Sequence, residues 1–132
     1  MASWQGRYPA VPETAKEIRC EIAAIARDCG LSELAVADVK LAVSEAATNA
    51  IQHAYRHRHA GDLTATTLSS NGVLWVVISD DGDGVHPRTD SPGLGLGLPL
   101  IASTTQGFEI VNKPTGGTEI HMRFPCPAAQ AA

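Results

Sequence analysis

Residues 41–55 read Leu-Ala-Val-Ser-Glu-Ala-Ala-Thr-Asn-Ala-Ile-Gln-His-Ala-Tyr. Ala46, Ala47, Ala50, Ile51 and Ala54 supply the small apolar surface that a packed helix needs. Three polar residues, Glu45, Asn49 and His53, recur at every fourth position. Residues four apart stack on one helix face, one turn above the next. The stripe spans about 12 Å at ~1.5 Å rise per residue. A polar line on a helix whose other positions suit a core is either a solvated edge or a site. Glutamate takes a proton or orients a water, and asparagine offers a neutral oxygen to a hard cation such as magnesium.

The 132 residues suit one domain, with a core expected over about 10–124 and a Pro- and Ala-rich tail expected to fray over 125–132. Hydrophobic content of 44% and charged content of 18% describe an ordinary globular chain. The net charge of −4 argues against broad nucleic-acid binding, yet allows an anionic ligand held by backbone amides. The start lacks the apolar run of a signal peptide, and the longest strongly apolar run, Val73 to Ile78, is far too short to span a bilayer. The expectation is a cytoplasmic protein with no membrane contact. Cys20 and Cys29 fall on one expected helix, about 13 Å apart and beyond disulfide reach, so these thiols and Cys126 are read as reduced.

On either side of the central stretch the pattern alternates between elements. Trp4 and Tyr8 favour a strand over 3–9 that Pro9 and Pro12 end. Pro12 and Glu13 suit the first turn of a helix carrying Ile18, Ile22, Ile25 and Cys29. Ser32 caps the helix that contains the stripe, which fades near 56–60 and stops at Gly61. Asn71-Gly72 between 62–70 and 73–78 predicts a hairpin, and the second run, apolar on both faces, predicts a central strand. Residues 81–94 read as loop, 98–105 as a short helix with Pro99 in its first turn, and 108–112 and 118–124 as two strands joined by a turn at 113–117. Helices grouped early with a mostly antiparallel, mixed sheet indicate a two-layer α/β sandwich of the α+β class, with helices on one face.

Three later segments carry chemistry. Ser79-Asp80-Asp81-Gly82-Asp83-Gly84 places a carboxylate at a strand end before flexible glycines, where it can accept from a ligand amine. It fits a calcium loop poorly. Gly93-Leu94-Gly95-Leu96-Gly97-Leu98 precedes a helix and can present amides to phosphate, although it matches neither the dinucleotide fingerprint nor a Walker loop. Gly116-Gly117-Thr118 alone is a hairpin turn. His53, His57 and His59 lack the partners that ordinary zinc spacing requires.

Together, Glu45-x-x-x-Asn49-x-x-x-His53-x-Tyr55, Asp80-x-Gly82-x-Gly84, Gly95-x-Gly97-Leu98 and Gly117-Thr118 closely resemble the histidine-kinase-type (GHKL) ATPase domain, over roughly residues 10–124. The wording around Asn49 is most similar to the bacterial anti-sigma factor serine kinases. The resemblance implies the histidine-kinase-like ATPase fold with ATP and Mg²⁺ as cofactors. It implies that Asn49 holds Mg²⁺, that Asp80 receives the adenine amino group, and that Thr118 supports the adenine pocket. It implies a phosphate-wrapping lid around Gly93, Gly95, Gly97 and Leu98, with Gly82, Gly84 and His53 also at the nucleotide, and Glu45 as base or orienting group for the attacking hydroxyl. The activity it implies is a protein serine kinase that sequesters a sigma factor and phosphorylates an anti-anti-sigma protein. Relatives of that kind are often dimers through the sheet and first helix, a surface to which Trp4 and Tyr8 could contribute in a homodimer. Two other functions stay open: an ATP-gated binding module without kinase activity, and a switch kinase acting on a scaffold protein.

Overall fold

The structure is a computed structural model that describes residues 2–54, 61–81, 94–114 and 116–127. In chain order the elements are β1 (Ala2–Pro9), α1 (Pro12–Asp28), α2 (Glu33–Asn49, then a π-helical turn Ala50–Ala54), β2 (Asp62–Ser70), β3 (Val73–Asp80), α3 (Leu94–Thr104), β4 (Gly107–Asn112) and β5 (Thr118–Pro125). The strands form one sheet in the order β1-β2-β3-β5-β4.

All four described pairings are antiparallel. The chain crosses from β3 to β4 through α3, which makes those two strands parallel, but β5 lies between them. No parallel pair therefore forms among the described strands of this α+β sandwich.

Local chemistry accounts for most boundaries. Pro12 opens α1, with Glu13 in its first turn and Arg27 in its last, both favourable to the helix dipole. The Ser32 hydroxyl accepts from the Ala35 N–H at 3.2 Å and caps α2. Asn71 and Gly72 adopt positive φ angles of 54° and 80°, as a tight two-residue turn between β2 and β3 requires.

One face of the sheet is buried and the other is partly open. Leu74, Val76, Ile78 and Asp80 alternate with the half-buried Val73, Trp75, Val77 and Ser79 along β3. The buried set packs with Ile18 and Ile22 of α1, Val39 and Val43 of α2, and Ile101 of α3. On β1, Trp4 and Tyr8 stand on this face and close over Gly6, where an added Cβ would come within 2.8 Å of the Trp4 ring and 2.9 Å of the Tyr8 ring. On the open face the Arg123 guanidinium lies 5.4 Å from the centre of the Trp75 ring.

Two expectations shift. The chain stays anchored through Cys126, which is 1% exposed and whose N–H donates to the Gly72 carbonyl at 2.8 Å, past the point where proline suggested fraying. The third helix begins at Leu94 instead of Leu98, so Pro99 lies inside it. Gly95 and Gly97 therefore belong to the helix, and tertiary packing outweighs their poor helix propensity. The anchor is visible in Ile101, fully buried, and Leu98, half-buried against the core. All three cysteines are free thiols. Burial pushes the Cys29 thiol above its ordinary pKa. No described helix is long and apolar enough to cross a membrane.

Candidate functional site

The expected site residues fall on α2, α3 and the neighbouring ends of β3 and β5. Glu45 lies on α2 and is half-buried. Asn49, one turn later, is the last residue of the regular helix and only 5% exposed. The helix then widens into the π-helical turn. Such turns are uncommon and recur at functional sites, because they re-aim side chains without ending the helix. The Asn49 Nδ2 is buried with no hydrogen-bond partner. An amide has a donor end and an acceptor end, so this residue fits a ligand that carries both a phosphate oxygen and a hard cation. His53 lies in the π-helical turn.

At the sheet, Asp80 ends β3 and is 4% exposed, while Thr118 opens β5 and is 1% exposed. The Thr118 N–H donates to Asp80 Oδ1 at 3.3 Å. The Thr118 hydroxyl donates to Asn112 Oδ1 at the same distance, so the last residue of β4 completes the line. A carboxylate has about four acceptor positions, so Asp80 can serve Thr118 and a ligand amino group together. β3 also touches the π-helical turn, and α3, which carries Gly95, Gly97 and Leu98, packs along α2. Gly82, Gly84 and Gly93 lie outside the described residues. Among the described residues no cluster of three or more His, Cys, Asp or Glu side chains could hold a metal ion; His57 and His59 lie outside those residues.

Residues 113–117 read as a turn that ends in the Gly117-Thr118 motif, and the structure places both Gly117 and Lys113 against the end of β3. Gly117 has φ +92°, and a Cβ there would meet the Asp80 carbonyl oxygen at 2.0 Å. Only glycine lets the hairpin seat against the backbone of Asp80. Two consecutive glycines immediately before a strand were the available signal. Lys113 reaches back to the end of β3, where its Nζ donates to Ser79 Oγ and Asp81 Oδ1, both at 3.0 Å. No local pattern announces that contact, because it spans 34 and 32 residues of sequence.

Comparison with known proteins agrees with this fold. A model of the histidine kinase-like ATPase domain matches residues 8–124. The serine-protein kinase RsbW of Bacillus licheniformis is 37% identical over 89 residues, which is 67% of this chain and 56% of that protein. RsbW of Listeria monocytogenes is 36% identical over 89 residues, covering 67% of this chain and 57% of the relative. RsbW of Bacillus subtilis is 36% identical over 77 residues, covering 58% and 48%. The matched part thus spans about half the length of these relatives. Because that model matches residues 8–124, this chain belongs to the histidine kinase-like ATPase domain family.

Proposed function

We propose that the protein is a Mg-ATP-dependent protein serine kinase that acts as an anti-sigma factor, sequestering a sigma factor and phosphorylating an anti-anti-sigma protein on serine. The observation that carries this reading is on α2. Glu45, a half-buried carboxylate, stands one turn before a buried Asn49 amide with its Nδ2 unpaired. A site that only bound nucleotide would need Asn49 but not a proton acceptor beside it. In this reading Asp80, supported by Thr118, takes the adenine amino group, and Asn49 holds Mg²⁺ beside the phosphates. Gly95, Gly97 and Leu98 border the phosphates at the start of α3, with His53 nearby. Bound Mg²⁺ would neutralise phosphate charge, and positioning with charge neutralisation is most of what phosphoryl transfer needs. Glu45 would orient the incoming serine hydroxyl and accept its proton. Such a kinase works in the cytoplasm, among the transcription machinery it regulates. The similarity to proteins named serine-protein kinase supports the activity.

The test is capture of partners on the tagged protein from native cell extract, with and without Mg-ATP, followed by transfer from γ-labelled ATP. Recovery of a sigma factor and label on a serine of a small second protein is expected. Glu45→Gln should lower transfer at least about a hundredfold while ATP still binds. Capture of an ATP-dependent partner that never becomes labelled would replace this reading with the binding module. A labelled scaffold without any sigma factor would replace it with the switch kinase.

A further inference from the structure

Lys113 sits in the turn between β4 and β5, with a side chain only 21% exposed. Its backbone closes the hairpin: its N–H donates to the Gly117 carbonyl at 2.9 Å, and its own carbonyl accepts from the Gly116 N–H at 3.0 Å. The ammonium group then passes over β5 to β3. It donates to Ser79 Oγ and pairs with Asp81 Oδ1, each at 3.0 Å. Ser79 and Asp81 are the residues immediately before and after Asp80.

Successive strand residues face opposite sides of a sheet. Ser79 therefore lies on the open face while the Asp80 carboxylate turns into the buried one. From the open face Lys113 holds both neighbours of Asp80. From the buried side the Thr118 N–H holds its carboxylate, and Gly117 packs on its carbonyl. Asp80 is the last residue of β3, where its partner across the ladder is Leu63 of β2. A strand end is where a sheet opens most easily, and a recognition group must be held within about 0.5 Å of its working position.

We propose that Lys113 is a positioning residue that sets the base selectivity of the nucleotide pocket by fixing the orientation of Asp80. The inference rests on reading Asp80 as the acceptor for an exocyclic amino group. A fixed carboxylate rewards a base with an amino group there and rejects one with an oxo group, through two facing acceptors. A carboxylate free to swing loses part of both effects. The signature is thus a ratio of affinities, which a general loosening of the fold does not change.

The full chain is titrated with Mg-ATP and with Mg-inosine triphosphate, whose base carries an oxo group in place of the adenine amino group. Wild type should prefer ATP. Lys113→Met keeps the side chain's length and removes its donors, and should shrink the preference about fivefold, the ceiling for a bridge whose Asp81 end is open to solvent. Lys113→Arg offers two donors in a fork and should restore the ratio to within about twofold. An unchanged ratio in Lys113→Met, whether both affinities hold or fall together, overturns the proposal. If Lys113→Met does not fold, Ser79→Ala and Asp81→Ala each remove one arm, and both must shift the ratio in the same direction. Wild type that binds the two nucleotides equally, or neither, removes the amino-group reading of Asp80 itself. Wild type that prefers ATP alongside a Lys113→Met that prefers it just as strongly removes only the role of Lys113.

Discussion

At the end of β3, Asp80 accepts from the Thr118 N–H, Thr118 donates its hydroxyl to Asn112, and Lys113 holds the residues on either side of Asp80. At the end of α2, Asn49 is equally buried, yet its Nδ2 finds no partner. The first region is finished by the fold itself, with each polar group answered by another element of the sheet. The second leaves unanswered a donor whose burial costs about 1–3 kcal/mol. A protein tolerates such a cost where a ligand later removes it. In the proposed kinase, the sheet end is a preformed pocket for the base, and the helix end is a reactive half completed only by nucleotide and cation. Changes at the sheet end should therefore damage folding and binding together. Changes at the helix end should damage chemistry and spare the fold.

Asn49→Ala gives that contrast its strongest test. Phosphoryl transfer to the captured partner should fall about a thousandfold, ~4 kcal/mol in the transition state. The free energy of urea unfolding should stay within about 1 kcal/mol, because the buried Nδ2 has no partner to leave unsatisfied. Both are measured on the same preparation, initial rate against unfolding curve. Transfer that is undiminished would end the phosphate and Mg²⁺ role of Asn49. A loss of more than ~3 kcal/mol in stability would make Asn49 a structural residue and remove the distinction between the two ends.

Gly117→Ala is the opposite case. The added methyl would press on the Asp80 carbonyl oxygen, at a backbone φ of +92° that L residues rarely adopt. The obstacle is backbone, which cannot rotate away like a flexible side chain. The expected loss is about 3 kcal/mol of stability, with a parallel loss of nucleotide affinity. Urea unfolding and nucleotide titration check it together. A variant of near wild-type stability that simply binds no nucleotide would show that the sheet end, too, is separable from the fold.

The same division sets how much was legible in the sequence. Glu45 and Asn49 could be placed one turn apart on a helix because the period of α2 is regular up to Asn49, and β2 and β3 could be read because Asn71-Gly72 fixes their register. Asp80 was visible as a carboxylate at a strand end. The start of α3 was misjudged because Gly95 and Gly97 argue locally for a loop, while burial of Ile101 and Leu98 anchors the helix. Lys113 was invisible as a site residue, since its contacts join positions more than thirty residues apart and depend on β5 lying between β3 and β4. What depends on period or turn chemistry was readable; what depends on strand order was not.

Ser44 supplies the smallest and most discriminating change. Its Oγ, like Asn49 Nδ2, is buried on α2 without a partner. Five residues of helix separate the two by about 140° of rotation, so they point in different directions. If an unpaired buried atom were enough to mark a site, the two substitutions would behave alike. The proposed role of Asn49 instead depends on its place beside Glu45 and the π-helical turn. Ser44→Ala should therefore leave nucleotide affinity unchanged and raise unfolding stability by about 0.5 kcal/mol, from the better helix propensity of alanine and removal of an unanswered hydroxyl. Unfolding curves and nucleotide titration resolve the outcome. A clear loss of nucleotide affinity would extend the unfinished region one turn back along α2 and make Ser44 part of it, while a drop in stability beyond ~1 kcal/mol would show that the hydroxyl packs more favourably than its missing hydrogen bond implies.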